Sequence, residues 1–239
     1  MKNPISISTG CLHRLSEDRN KMVRELQKFS LSGVELSFNQ PRHLLTFDID
    51  KDNLEYLQTL KFNSIHAPAK NIIYGDNKTC KEVLRKISEL YVKINAKNVV
   101  FHKNEIEDYS LIINSKFTSS IENDDWRKPK NGIEYIKNLL DEHRELKLTF
   151  DFAHAMTVSP VDISEYLDYF KGRLAEIHIS IINQETKRHD FMYKNNSEKL
   201  KDLTQLLKVA SVPLVLECAV LDFKDIDSLK REIEYIKKI

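Results

Sequence analysis

The chain is 239 residues long, with 41% hydrophobic and 31% charged residues, which is typical of an ordinary soluble α/β protein. Its 37 basic and 36 acidic residues give a net charge of +1, which excludes a global electrostatic attraction to nucleic acid. The first residues lack the long apolar core of a signal peptide, and no run approaches the roughly 18 apolar residues of a membrane span. We therefore expect a cytoplasmic protein with no membrane partner.

The three cysteines, Cys11, Cys80 and Cys218, are odd in number and widely spaced. This pattern indicates neither a disulfide framework nor a cysteine-rich zinc motif. We expect all three to be reduced, with Cys218 packed between a strand and a helix.

Short apolar or alternating segments, each followed by a helical pattern, recur along the whole chain. Eight strands are predicted at 5–9, 34–38, 62–68, 98–102, 117–122, 146–151, 174–179 and 213–217. Helices are predicted at 17–29, 54–60, 78–95, 108–114, 131–143, 161–170, 197–209 and 225–239, with Ser16 as the N-cap of the first, and the polar segment 183–196 is predicted to be a loop.

This alternation continues without a break in composition, and no interdomain linker is evident. Strands that alternate with helices favour a parallel sheet covered by helices. We therefore predict one domain over residues 1–239, folded as a single closed (β/α)8 TIM barrel.

Side chains that bind metals collect at the predicted strand ends. In a barrel, the carboxyl ends of all strands converge on one face, where reactive groups gather. Five of the eight histidines lie at or just beyond strand ends, and with the carboxylates the set is His66, His102, Glu122, Asp151, His154, His178, His189 and Glu217. Leaving such groups unpaired would cost several kcal/mol.

A divalent cation would remove that cost. Oxygen and imidazole ligands without thiolate suit Zn²⁺, Mn²⁺, Mg²⁺, Fe²⁺ or Co²⁺. The alternative is a polar cluster held only by hydrogen bonds. Glu35 should point into the barrel from the second strand, either as a core carboxylate or as a functional group.

Six short motifs carry a resemblance to a known family. They are Ser64-Ile-His66-Ala-Pro68, Val100-Phe-His102, Ile121-Glu122-Asn123, Asp151-Phe-Ala-His154, Ile177-His178 and Leu216-Glu217. In this order they resemble the xylose-isomerase-like TIM-barrel superfamily, which contains sugar-phosphate isomerases and epimerases and the endonuclease-IV-type apurinic endonucleases. The similarity covers essentially the whole chain.

The resemblance implies roles for single residues. The four-ligand metal site of the isomerases and epimerases corresponds to Glu122, Asp151, His178 and Glu217. His66 and His102, bridged by Glu122, match an additional site of the endonucleases, and His154 matches either a ligand of their third metal or a substrate contact. The endonucleases carry Asp-x-His in the seventh loop, where this chain reads Lys187-Arg188-His189-Asp190. This departure puts a complete three-metal site in doubt.

Two functions follow from these assignments. The first is a metal-dependent isomerase or epimerase of a small sugar or sugar phosphate, in which Glu122 and Glu217 act as base and acid. His154 and Lys187 or Arg188 would then hold hydroxyl or phosphate groups, and one cation is expected. The alternative is an endonuclease-IV-like apurinic endonuclease or phosphodiesterase with two or three cations, in which His189 and Asp190 are further candidate ligands.

Trp126 and Arg127, just after the fifth strand, could stack on a nucleotide or equally on a sugar ring.

A non-catalytic barrel is a third interpretation, because a fold does not dictate a function. The near-neutral charge and short chain favour a small-molecule partner over nucleic acid. The sequence leaves the oligomeric state open, a homodimer included.

Overall fold

Ten strands define the backbone architecture. The structure is a computed structural model that describes residues 3–125, 127, 132–158, 169–183, 185–194, 203–204, 207 and 211–238. The strands are β1 (Ile5–Ser8), β2 (Gly33–Ser37), β3 (Ser64–His66), β4 (Asn98–His102), β5 (Ser119–Glu122), β6 (Lys147–Asp151), β7 (Leu174–Ile179), β8 (Ile181–Ile182), β9 (His189–Asp190) and β10 (Leu214–Leu216).

Eight of these strands close into a parallel barrel in the order β1-β10-β7-β6-β5-β4-β3-β2. The predicted (β/α)8 barrel is thus confirmed. The strands β8 and β9 form a separate antiparallel pair after β7; β8 lies directly before the segment 183–196, which is predicted to be a loop, and β9 lies within it. This pair fixes the direction in which His189 and Asp190 point.

The helices run between the strands. They are α1 (Arg19–Leu26), α2 (Pro41–Leu45), α3 (Lys51–Thr59), α4 (Lys78–Lys93), α5 (Tyr109–Ile113), α6 (Ile133–Glu142), α7 (Phe152–Ala155) and α8 (Asp227–Ile236). Short 3-10 turns cover Thr9–Leu12, Lys103–Glu105, Met192–Lys194 and Phe223–Asp225. Most residues of the predicted helices at 161–170 and 197–209 lie outside the part of the chain that the structure describes. Among the helices that are described, none has the length and apolar character needed to cross a membrane.

Helix α4 shows how sequence determines these elements. The Asn77 side chain accepts a hydrogen bond from the Cys80 amide and caps the first turn. Val83, Ile87 and Leu90 recur at helical spacing and are buried against the barrel.

Two local predictions were wrong. Helix α1 begins at Arg19 rather than at residue 17, because the Asp18 carboxylate caps it by accepting from the Asn20 amide. The Ser16 hydroxyl, expected as the cap, instead accepts from the Asp18 amide. Helix α2 lies between the predicted strand at 34–38 and the predicted helix at 54–60, where no element is predicted, and it begins with Pro41, whose fixed φ suits a first helical turn.

A layer of polar side chains fills the barrel below the strand ends. Asn98 Nδ2 donates to Ser120 Oγ at 2.8 Å and to Glu176 Oε1 at 3.1 Å. Ser120 and Thr149 are joined by a 2.6 Å hydroxyl contact. The layer ties β4, β5, β6 and β7 together and supports the residues above it.

The cysteines lie as expected. All three are free and buried. Cys218 Sγ lies 3.8 Å from Glu232 Oε1 on α8, between a strand end and a helix.

Gly33 lies at a close backbone approach between β2 and the segment before β3. A Cβ atom at this position would lie 2.1 Å from the Phe62 carbonyl oxygen, which belongs to the backbone just before β3. At Gly172, by contrast, an added Cβ would meet nothing within 4 Å. The two positions therefore form a matched pair for testing how tightly β2 and β3 pack.

We expect Gly33→Ala to destabilise the protein by about 2 to 3 kcal/mol, because the backbone must move to accept the methyl group. For a chain of this size, that loss lowers the thermal midpoint by about 4 to 12 °C. Gly172→Ala should change stability by less than about 1 kcal/mol. Thermal melts followed by circular dichroism measure both, and equal midpoints for the two variants would contradict the close approach.

Candidate metal centre

The Glu122 carboxylate, at the end of β5, is surrounded by imidazoles on the carboxyl-end face of the barrel. Its Oε2 lies 3.2 Å from Nε2 of both His66 and His102. Its Oε1 lies 3.4 Å from Nδ1 of His178 and 3.6 Å from Nδ1 of His154. Because Glu122 is buried, these four rings replace the water that would otherwise solvate its charge. His66, His102 and Glu122 form the first candidate ligand group.

A second candidate ligand group contains Glu122, Asp151, His178 and Glu217, one ligand atom from each lying within 4.8 Å of the others. His178 Nδ1 is 3.2 Å from Glu217 Oε2. Asp151 and His178 are direct partners in the β6–β7 ladder, so the barrel register places them side by side. The Glu217 side chain is 16% exposed and the Glu122 side chain only 1%, so Glu217 is the more accessible carboxylate.

A third candidate ligand group contains Asp151, His154 and His189. The rings of His154 and His189 meet edge to face, with centroids 5.1 Å apart. His189 reaches this position from β9, while His154 follows Asp151 on α7. The structure thus brings His189 to the centre, as the sequence led us to expect.

Asp190 does not join this group. Its carboxylate accepts hydrogen bonds from Asn183 Nδ2 at 3.2 Å and from the Phe191 amide at 2.7 Å. Adjacent residues on a strand point to opposite sides, so β9 directs Asp190 away when it directs His189 inward. An Asp-x-His motif would place its aspartate at position 187, where this chain has an exposed lysine. The third group therefore lacks the carboxylate that the seventh loop of the endonucleases supplies.

Each histidine of the centre has one ring nitrogen that faces a polar partner outside these three ligand groups; for His178 that partner is Glu35, which with Glu176 and His178 makes a fourth candidate group below the centre. The partners are the Ala67 carbonyl for His66 Nδ1 (3.2 Å), Asp124 for His102 Nδ1 (3.5 Å), the Asn123 carbonyl for His154 Nδ1 (2.9 Å), Glu35 for His178 Nε2 (3.3 Å) and Ser180 for His189 Nδ1 (2.6 Å). Such partners fix the tautomer and the orientation of metal-binding imidazoles. The other nitrogen of each ring is left for a ligand.

Asp151 is held by the residues around it. Asn123 Nδ2 donates to the Asp151 carbonyl at 2.9 Å, and the Asp151 amide donates to Asn123 Oδ1 at 2.8 Å. Asp151 Oδ1 accepts from the His154 amide at 2.6 Å and caps α7, so the chain turns helical here instead of entering an open loop. These bonds orient the carboxylate before any ligand binds.

The buried atoms of the centre fit a divalent cation. Within the described part of the chain, Asp151 Oδ2 and both ring nitrogens of His178 are buried without a partner in hydrogen-bond geometry, and the contact of His178 with Glu35 is an ion-pair contact only. Unsatisfied buried polar atoms are costly, and a cation would bind Asp151 Oδ2 and His178 Nδ1 together. The oxygen and nitrogen donors, without thiolate, suit Zn²⁺, Mn²⁺, Mg²⁺, Fe²⁺ or Co²⁺.

The crowded charges also shift the pKa values of the groups. Burial lowers the pKa of His66, but carboxylates, chiefly Glu122, outweigh it and raise that pKa to about 10. In the same way, Asp151 and other carboxylates overcome burial and raise the pKa of His154 to about 9. Burial raises the pKa of Glu217, but the neighbouring imidazoles lower it to about 2.

Two cavities border the centre. The first has a volume of about 360 Å³, and its lining includes Arg19, Lys70, Glu105, His66 and His102. The second has a volume of about 380 Å³, and its lining includes Arg14, Lys187, Arg188, His189 and Glu217. Gly10, His13, Ser37 and Asn39 line both, so the cavities adjoin. Both volumes lie in the range of small-molecule sites.

Some residues of the site differ from the sequence analysis. Trp126 lies outside the described residues, and Arg127 pairs with Asp125 instead of standing alone. Asp124 was missed: it contacts His102 and forms a buried ion pair with Lys103. The polar run directly after β5 was the available signal, because polar side chains at a barrel strand end lie at the functional face.

Neither a protein-family model nor a curated protein sequence matches the chain. Solved structures do match. Endonuclease IV from Thermus thermophilus gives a TM-score of 0.68 with 14% identity, over 99% of this chain and 100% of that one. A 3-keto-D-glucoside 4-epimerase from E. coli gives a TM-score of 0.68 with 12% identity over 99% and 100% of the chains.

A xylose isomerase domain containing protein from Salmonella typhimurium LT2 gives a TM-score of 0.63 with 14% identity, over 99% of this chain and 98% of that one. The protein therefore shares the closed barrel fold of these solved structures. The likeness is one of fold, and these proteins differ in chemistry.

We expect cation binding to the metal-free protein to release protons. Burial lowers the pKa of His178, but Glu217 and the other carboxylates around it raise that pKa well above its ordinary value, so the ring holds a proton at pH 7 that a ligated imidazole must lose. His66 and His154, with pKa values of about 10 and 9, would lose theirs if they bind a cation too. The apparent affinity should therefore rise from pH 7 toward pH 9. Calorimetric titration with Zn²⁺ in two buffers of different ionisation enthalpy counts the protons, and binding that is independent of pH, with no proton release, would rule out this charge arrangement.

Proposed function

We propose that the protein is a metal-dependent isomerase or epimerase that acts on a small sugar or sugar phosphate. One observation carries the proposal. Two carboxylates, Glu122 and Glu217, lie 3.4 Å and 3.2 Å from the same ring atom of His178, and Glu217 borders a cavity sized for a small molecule. Paired carboxylates beside a polar cavity suit proton transfer at a C–H bond.

The cation would be held by the second ligand group, which contains Glu122, Asp151, His178 and Glu217. When bound, it would polarise adjacent oxygens of a hydroxy-carbonyl substrate and acidify the C–H bond between them. Asp151 and His178 serve only as ligands in this proposal. Their fixed orientation, through Asn123 and Glu35, prepares the site for the substrate.

The two glutamates would move the proton. The low pKa of Glu217, near 2, keeps it ionised at neutral pH, which is the state that a proton acceptor needs. Its exposure to the second cavity lets it reach a substrate carbon. Glu122 would relay a proton to the opposite side of the substrate carbon. Despite its burial, the neighbouring imidazoles hold its pKa well below the ordinary value, so the proton would come from one of these protonated rings, such as His66.

Other side chains would position the substrate. Lys187 and Arg188 line the same cavity as Glu217, and His154 stands behind them beside His189. Cations at this cavity suit hydroxyl or phosphate groups. The likeness to a 3-keto-D-glucoside 4-epimerase supports sugar chemistry on this fold, while the substrate itself is part of the proposal.

A second candidate is an endonuclease or phosphodiesterase that uses two or three cations. The overlap of the ligand groups favours it, because His66, His102, His154 and His189 exceed the needs of one cation. The likeness to endonuclease IV supports it as well. Against it stand the small cavities, the net charge of +1 and the lysine at position 187.

We expect Glu217→Gln to abolish solvent hydrogen exchange at a substrate C–H bond; because Glu217 is also a proposed ligand, the substitution should weaken cation binding, and exchange is therefore compared at saturating cation. Wild-type protein loaded with Mn²⁺ or Zn²⁺ is screened in heavy water against aldoses, ketoses and their phosphates, with exchange read by NMR. The matched control is Glu55→Gln on α3, an exposed glutamate that pairs with Lys51. Exchange that survives Glu217→Gln would remove the proposed acid and base pair.

A nicking assay separates the two candidate functions. If the protein is an isomerase, a duplex with one abasic site should stay intact in the presence of the protein with Zn²⁺ and Mn²⁺, since the cavities are too small for bent DNA. Elemental analysis should find about one cation per chain for the isomerase and two or three for the nuclease. Specific nicking that is lost in His154→Ala would replace the isomerase proposal by the nuclease.

A further inference from the structure

Arg19, the first residue of α1, is a buried cation without a carboxylate partner. Only 8% of the residue is exposed, and it forms no ion pair with any residue that the structure describes. Its Nε donates to the Ser37 carbonyl at 3.2 Å and its Nη1 to the Glu17 carbonyl at 2.7 Å. Its Nη2 lies 3.4 Å from His43 Nδ1.

These contacts fix the guanidinium but leave donors unused. An arginine has five N–H groups, of which the described contacts use three. The guanidinium carbon also lies 5.4 Å from the centre of the Phe38 ring, which holds the plane of the group in place. The carboxylates of Glu17 and Asp18 stabilise its charge from a distance, but neither forms an ion pair with it. A buried cation that forms no ion pair with a described residue and keeps free donors is a strong binding element for an anion.

Arg19 lines the first cavity, the one of about 360 Å³, together with His66 and His102 of the metal centre. The exposed Lys70 lines it too, and adds a second positive charge. Glu105 is the one carboxylate among the lining residues, and it suits hydrogen bonds from hydroxyl groups. The cavity thus combines a bidentate donor, a second cation, an acceptor and access to the metal centre.

We propose that Arg19 and Lys70 bind the phosphate group of a phosphorylated polyhydroxy substrate in this cavity. The inference rests on the proposed function and makes it more specific, because it selects sugar phosphates over free sugars. Two cations match the two charges of a phosphate monoester better than the single charge of a carboxylate.

This phosphate position differs from the one that the sequence suggested. Lys187 and Arg188, the sequence-based candidates for phosphate contact, are exposed and lie on the second cavity. Arg19 is buried and held by backbone carbonyls, so it loses less side-chain entropy on binding than an exposed side chain does. The phosphate would sit on the β2–β4 side of the centre, and the reacting carbon toward Glu217.

Binding of inorganic phosphate to the metal-free protein tests the site, because no cation is then present to bind the same anion. We expect Arg19→Gln to weaken phosphate binding at least tenfold in calorimetric titrations. Lys70→Gln should weaken it several-fold, and as an exposed substitution it remains informative if Arg19→Gln fails to fold. The matched control is Arg24→Gln, an exposed arginine on the same helix that pairs with Asp50 and should bind phosphate as the wild type does.

Three outcomes would overturn the inference: no phosphate binding by the wild type up to about 10 mM, unchanged affinity in both Arg19→Gln and Lys70→Gln, or a loss confined to Arg188→Gln. The test is independent of catalysis. If phosphate binding fails, metal-dependent exchange on an unphosphorylated sugar can still be observed. If exchange fails, the effect of Arg19 on phosphate affinity can still be measured. If Arg19→Gln raises KM for phosphorylated substrates only, that result would link the phosphate site to the proposed isomerase activity.

Discussion

The buried negative charge of Glu122 is the constraint on which the site depends. A carboxylate with 1% exposure cannot remain charged inside a protein without close partners, and four imidazoles lie within 3.6 Å of its oxygens. Those rings come from β3, β4, β7 and α7, so one charge sets the positions of elements around half of the barrel. Without a cation, protonated rings balance the carboxylates, which explains the raised pKa values of His66 and His154.

The rings themselves depend on a second set of contacts. Glu35 and Glu176 lie 3.3 Å and 3.5 Å from His178 Nε2, and Asp124 lies beside His102. Glu35 was expected to be either a core carboxylate or a functional group. Its contact with His178 combines the two roles, because Glu35 is buried in the barrel and also orients a candidate ligand. Burial also raises the pKa of Glu35 itself. The site is therefore a two-layer network whose lower layer is the polar interior of the barrel.

Much of this was predictable from the sequence. The alternation of strands and helices indicates the barrel, and the barrel predicts that the strand ends converge, so the order of the strands alone places His66, Glu122 and His178 together. Side-chain direction on short segments could not be predicted. The β8–β9 pair separates His189 from Asp190, and the cap by Asp18 shifts the start of α1 to Arg19. Both depend on hydrogen bonds made after folding, which periodicity does not record.

The overlap of the first three candidate ligand groups has a consequence for how such a centre changes. Glu122 belongs to the first and second groups, and Asp151 belongs to the second and third. Each added or lost side chain at the rim would therefore change the number of cations that these groups could hold, without disturbing the shared carboxylates. Position 187, a lysine two residues before His189, is one place where a carboxylate would add a ligand. Substitutions in the loops would thus change the number of bound cations, while the strands and their register stay the same.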